Sequence, residues 1–105
     1  MLDMGEKKES LGEWPFDDPP NVAVFTTTHV VRAGQPILYV SHDAADGAWQ
    51  FHSADAFSED DAMVVALAEI VELDPSIIGL AQLPLGWRAT RTSRASAWKL
   101  AAETE

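Results

Sequence analysis

The stretch Ile37-Leu38-Tyr39-Val40-Ser41-His42-Asp43-Ala44-Ala45-Asp46-Gly47-Ala48-Trp49-Gln50-Phe51-His52 decides the fold. Two runs rich in β-branched and aromatic residues flank a short polar loop with glycine near its end, which is the pattern of a β-hairpin. Pairing His42 with Ala48 sets Tyr39 opposite Phe51 and Ser41 opposite Trp49. The expected core face is then Ile37, Tyr39, Trp49 and Phe51. The expected mixed face is Leu38, Val40, His42, Gln50 and His52.

Working outward, Val22-Ala23-Val24-Phe25-Thr26-Thr27-Thr28 reads as a strand before the hairpin, and His29-Val30-Val31-Arg32 continues it or turns. After the hairpin, Ser58-Glu59-Asp60-Asp61 reads as a helix start, with Ser58 as cap and acids where the helix dipole favours them. Met63, Ala66, Leu67 and Ile70 fall at i, i+3, i+4 and i+7 and predict one buried stripe. Asp74-Pro75 ends that helix and opens a short helical turn, with aspartate capping and proline in the first position. Trp87-Arg88-Ala89-Thr90-Arg91-Thr92 alternates like a strand with its arginines on the wet side, and Ser96-Ala97-Trp98-Lys99-Leu100 reads as a last strand or docked tail. The expected fold is α+β: an antiparallel sheet of four to five strands with one main helix (about 59–73) and a short helical turn (about 75–79) on one face.

Residues 1–20 read as an N-terminal arm, partly flexible, ahead of a single domain at 21–105. The arm is polar and is stiffened by Pro19 and Pro20, with Trp14 and Phe16 expected to pin it to the domain. At 105 residues and 47% apolar the chain has enough material for one core without staples. It has no cysteine, which excludes disulfides, thiolate metal sites and cysteine nucleophiles. No apolar run follows Lys7-Lys8, and no apolar stretch approaches the ~20 residues of a membrane span. The expectation is a cytoplasmic protein that binds neither membrane nor nucleic acid.

Net charge is −10, and nine acids stand between Asp43 and Asp74 with no base among them. A block of this sign repels nucleic acid and steers a basic partner. Arg88, Arg91 and Arg94 make a weak counterpart, expected to offset the acidic helix. The expected partner-binding residues are Asp43, Asp46, Asp55, Glu59, Asp60 and Asp61.

Catalytic and metal chemistry find little footing. His42 and His52 share a face in the expected register but sit about 13 Å apart, too far for one metal. The Asp43–Gly47 loop lacks the alternating oxygens and closing glutamate of a calcium loop. No Gly-x-Ser-x-Gly elbow and no phosphate-cradling glycine loop occurs. The expectation is a non-enzyme with no catalytic residue, no metal and no cofactor.

A run of features in order carries a resemblance: Pro36-Ile37-Leu38-Tyr39-Val40 after a glycine turn, an acidic loop into Gly47-Ala48-Trp49-Gln50-Phe51, the acidic stretch Asp55 to Asp61, a helix, Asp74-Pro75-Ser76-Ile77-Ile78, and Leu83-Pro84-Leu85-Gly86 before an arginine-bearing strand. From Val24 onward the chain resembles the Imm33-like immunity protein family, also known as the domain of unknown function 2185. That resemblance implies an immunity-type inhibitor that neutralises a cognate, here basic, toxin by binding it. Two other readings stand beside it. One is a housekeeping domain that self-associates through a sheet edge; the expected state of the chain is a monomer or weak homodimer. The other is a small ligand-binding protein or enzyme built on His29, His42 and His52.

Overall fold

The computed structural model describes residues 14–54 and 58–103, so the arm ahead of Trp14, with the flexibility expected of it, lies outside the described residues. The fold is α+β. In chain order it has β1 (Ala23–Thr27), α1 (Thr28–Val31), β2 (Tyr39–His42), β3 (Trp49–His52), a 3-10 turn (Glu59–Asp61), β4 (Ala62–Ala66), α2 (Leu67–Leu73), a 3-10 helix (Pro75–Leu80), β5 (Trp87–Thr90) and β6 (Lys99–Ala102). The strands form one six-stranded sheet in the order β4-β1-β3-β2-β5-β6. It is mixed rather than antiparallel throughout, because β1 pairs β3 in parallel, with Phe25 beside Gln50. The Thr26 hydroxyl reinforces that junction by donating to the Phe51 carbonyl at 2.8 Å.

The hairpin forms, but one residue out of the expected register: His42 pairs with Trp49, Ser41 with Gln50, Val40 with Phe51 and Tyr39 with His52. The Asp43 amide donates to the Ala48 carbonyl at 2.8 Å, so the closing pair is 43 with 48 and only four residues lie between. Gly47 supplies the left-handed conformation (φ 74°) that returns the chain over so short a loop. A one-residue slip moves a strand's side chains to the other face. Val40 is therefore fully buried beside Phe51, and Tyr39 stands on the opposite face, half-exposed.

The expected main helix at 59–73 is a strand over its first half. Ala62–Ala66 pairs antiparallel with β1, from Thr27 opposite Ala62 to Ala23 opposite Ala66, and the helix proper begins at Leu67. Val64-Val65 favours the extended form, and the open side of β1 offers a full backbone ladder. Of the expected stripe, Leu67 and Ile70 are buried while Met63 and Ala66 are half-buried on β4. The short turn expected at 75–79 is present as Pro75–Leu80, with the Asp74 carboxylate accepting the Ser76 amide at 3.1 Å.

Both helices and the 3-10 helix lie on one face of the sheet. Val24, Val40, Trp49, Phe51 and Ala89 from the strands pack there against Val30, Ile37, Leu67, Ile70, Ile77, Leu80 and Leu83. Phe16 of the arm joins this core, 5% exposed, with its ring edge-on to Trp49 at 5.4 Å. Arg91 is not on the wet side. It is buried, its guanidinium bonded to Asp74 at 2.6 Å and lying 4.1 Å from the Trp98 ring centre.

Candidate functional site

The sheet has two ends. The hairpin loop lies at the end where β1 begins, because β3 runs parallel to β1 and leaves that loop toward His52. Asp43 and Asp46 are there. Asp17 and Asp18 of the arm are brought to the same end, where with His42, Gly47 and Trp49 they line a cleft closed on its far side by Leu83 and Pro84. The cleft has a volume of about 410 Å³.

Its walls are fixed by aromatic packing. His42 stacks on Trp49 with ring centres 3.9 Å apart. Nδ1 of His42 is 2.8 Å from the Leu83 carbonyl, and because a carbonyl oxygen only accepts, Nδ1 is the donor. Asp18 accepts the Trp49 indole N–H at 3.0 Å through its carboxylate, and the Trp14 indole N–H at 2.6 Å through its backbone carbonyl. Asp17, at the rim, is exposed. Asp46 is also exposed and holds the loop by accepting the Ala48 amide at 3.0 Å. Of the four aspartates at this end, Asp17 and Asp46 are thus the exposed ones, while Asp18 and Asp43 are half-buried.

The face away from the helices carries a polar network. Asp43 accepts from the Ser41 hydroxyl at 3.1 Å and from the Gln50 amide at 2.8 Å. The Gln50 carbonyl oxygen meets His52 Nε2 at 3.0 Å, and the Tyr39 ring lies 5.8 Å from that imidazole. The Tyr39 hydroxyl donates to Glu103 at 2.9 Å. Burial pushes the Tyr39 phenol up, and the Glu103 carboxylate adds to the effect. Burial pushes the His52 imidazole down, against a smaller opposing pull from Asp43. Ser41 is buried, so its hydroxyl serves the network and faces no ligand.

The six acids expected to act together are divided. Asp43 and Asp46 are at the hairpin end. Glu59, Asp60 and Asp61 are at the opposite end of the sheet, since Ala62 pairs with Thr27. Asp55 lies outside the described residues. Asp61 is engaged by the Ser58 amide at 3.0 Å and by His29 at 3.5 Å, and these hold its carboxyl below the usual range, the Ser58 bond most of all. The three histidines are also apart. His29 is at the Asp61 end, His42 is on the helix side of the sheet at the hairpin end, and His52 is on the opposite face. The expected sharing of a face by His42 and His52 fails because their odd-even positions in the true register differ.

Asp17 and Asp18 were not legible as site residues. Their signal was indirect: placing Phe16 in the core sets the next two residues beside the hairpin. Among the described residues no group of three or more His, Asp or Glu side chains is arranged to hold a metal ion, and no helix is long and apolar enough to cross a membrane. No family model, no curated protein and no solved structure matches the chain.

Proposed function

We propose that this chain is a protein-binding domain whose hairpin end docks a basic surface of a partner, in the simplest case as an immunity-type inhibitor of a basic toxin. One observation carries the reading: Asp17 and Asp18 of the arm line a cleft of about 410 Å³ at the same end of the sheet as the hairpin loop that bears Asp43 and Asp46. The described cations are elsewhere or occupied. Arg94 lines a recess with Gly34 and Asp74, beyond the other end of the sheet, Lys99 pairs with Thr90 toward that end, and Arg91 is buried against Asp74. Arg32 follows α1 at that other end, and Arg88, beside Ser41, is on the sheet face away from the cleft. Such a field speeds encounter with a positive partner and fixes its orientation more than it adds affinity. A cleft of this size admits one or two basic side chains, with Asp17 in its lining and Asp46 exposed on the adjoining loop, next to the lining residue Gly47.

The test is capture from the native cell by the wild-type domain and by an Asp17→Asn/Asp46→Asn variant. Support is a partner held by the first and largely lost by the second, with affinity falling as salt rises. If that partner is a toxin, co-expression of the wild-type domain restores growth and the variant restores less. A partner held equally by both proteins sinks the proposal.

A further inference from the structure

Strand β6, Lys99-Leu100-Ala101-Ala102, is an outer edge of the sheet, and each of its four residues is exposed. Its inner side pairs with β5, from Trp87 opposite Ala102 to Thr90 opposite Lys99, and the Glu103 amide extends the ladder by donating to the Gly86 carbonyl at 2.7 Å. Backbone groups of alternate residues in an antiparallel strand point the same way. Glu103, Ala101 and Lys99 therefore bond inward, and Leu100 and Ala102 turn their N–H and C=O groups outward. Those groups form a ready template for another strand. A lysine on an edge normally deters such pairing, but here Glu103 lies four residues further on, on the same face, and answers it.

We infer that β6 pairs antiparallel with β6 of a second copy of this chain, about a two-fold axis at Ala101. In that register Leu100 lies opposite the second copy's Ala102 and exchanges both backbone bonds with it, and symmetry repeats the exchange. Lys99 lies opposite the second copy's Glu103, also twice. Moving the axis by one residue breaks both Lys99–Glu103 contacts. On the helix side, Leu100, 51% exposed in one copy, closes against the second copy's Ala102 and continues the row that Ala89 and Trp87 begin. The Tyr39 hydroxyl holds Glu103 by Oε2 and leaves Oε1 for the lysine. The other edge, β4, has no such self-complementarity. Glu59, Asp60 and Asp61 precede it and Glu69 follows within one helical turn, with no base among them, so two copies would bring like charges together. The β6 contact is short and buries less than a standard interface of about 1,600 Å². The dimer is accordingly weak and concentration-dependent, and it is independent of the reading of the hairpin end.

Sedimentation velocity on the full chain, from about 10 μM to about 1 mM, reads the association. The expected result is a shift toward twice the monomer mass across that range. Lys99→Glu and Glu103→Lys each bring like charges together at both symmetric positions and weaken the dimer about tenfold. Mixed together, the two variants pair with each other. One then carries an acid at both positions and the other a lysine at both, so each position 99 faces an opposite charge at position 103 across the axis. The double exchange in one chain likewise restores the dimer. The mixing arm also separates lost pairing from lost folding. A wild-type chain that stays monomeric at the top concentration, or single variants that do not recover on mixing, overturns the inference.

Discussion

At the scale of single residues, the buried pair of Arg91 and Asp74 ties the two ends of the C-terminal half together. Their side chains are 1% and 7% exposed, and their contact is 2.6 Å. The guanidinium also donates to the Ile37 carbonyl at 2.9 Å, the Ser76 hydroxyl at 3.0 Å and the Arg94 carbonyl at 3.2 Å. Every arm of the fork is used, so the site demands arginine rather than a point charge. Removing one partner strands the other charge in the interior, and Arg91→Ala is expected to cost about 3–5 kcal/mol in urea denaturation. Arg91→Lys is expected to recover less than half of that loss, because one ammonium cannot span the four acceptors. The pair also sets an acid limit. Burial alone would raise the Asp74 carboxyl, but bonds from Ser76 and Arg91 outweigh it and hold the group below its usual value. A carboxyl lowered by folding stabilises the native state above its unfolded pKa, near 3.9, and that contribution disappears as pH falls through the folded value. Unfolding midpoints should therefore drop between about pH 5 and pH 2, and Asp74→Asn, already destabilised at neutral pH, should lose less over the same interval. An equal acid slope in both proteins would locate the acid response elsewhere.

At the scale of elements, the amino-acid pattern made the hairpin, the first strand, the Asp74-Pro75 turn and the last two strands legible, because each rests on local chemistry: β-branched runs, a glycine at a turn, a capping aspartate. Two features were hidden for physical reasons. The register depended on whether the loop closes at 42 with 48 or at 43 with 48, a one-residue choice that both face patterns allowed, since Val40 and Tyr39 are each plausible in a core. The Ala62–Ala66 segment fits helix and strand alike, and only the vacant side of β1, a long-range partner, selects the strand. The site suffered from the same causes. The histidine faces followed the wrong register, and Asp17 and Asp18 depended on an arm whose docking no local signal fixes. The strand assignment makes a specific prediction. The Leu67 amide donates to the Val22 carbonyl at 2.9 Å, so by alternation Val65 and Met63 bond toward β1 while Val64 turns its N–H to the free edge. Val64→Pro then removes no ladder bond and should cost about 1 kcal/mol or less, as edge prolines do. Val65→Pro removes a bond and leaves the β1 carbonyl unpaired, for roughly 2–3 kcal/mol more. If 62–66 were the helix the hydrophobic stripe suggests, both prolines would break it alike. Thermal melts of the two variants separate these cases.

At the scale of the whole molecule, the arm belongs to the folded body from Trp14 onward, so a boundary drawn at residue 20 cuts through the core. Phe16 is 5% exposed and sits between Trp14, with ring centres 5.5 Å apart, and the edge-on Trp49. Asp18 satisfies the indole N–H of Trp49, a residue only 3% exposed. Beyond Asp18, the Val22 amide bonds the Pro19 carbonyl at 3.0 Å and the Ala68 amide bonds the Pro20 carbonyl at 2.9 Å, so the arm also caps the start of α2. The same docking creates the cleft, because without Asp17 and Asp18 the His42–Trp49 wall faces open solvent. Stability and the proposed binding site are therefore coupled through one segment. Phe16→Ala should cost about 3–5 kcal/mol, the usual loss for a buried phenylalanine, which is a large share of the roughly 5–15 kcal/mol that holds a domain folded. Asp18→Ala leaves the Trp49 N–H buried without its acceptor and should cost about 1–3 kcal/mol. A chain beginning at Asn21 loses both contributions and both backbone bonds, and should be less stable than either variant. Its tryptophan fluorescence should shift to the red as Trp49 meets water. An Asn21 chain as stable as the full protein, with Trp49 still shielded, would show that the sheet and helices close the core alone and that the arm only decorates it.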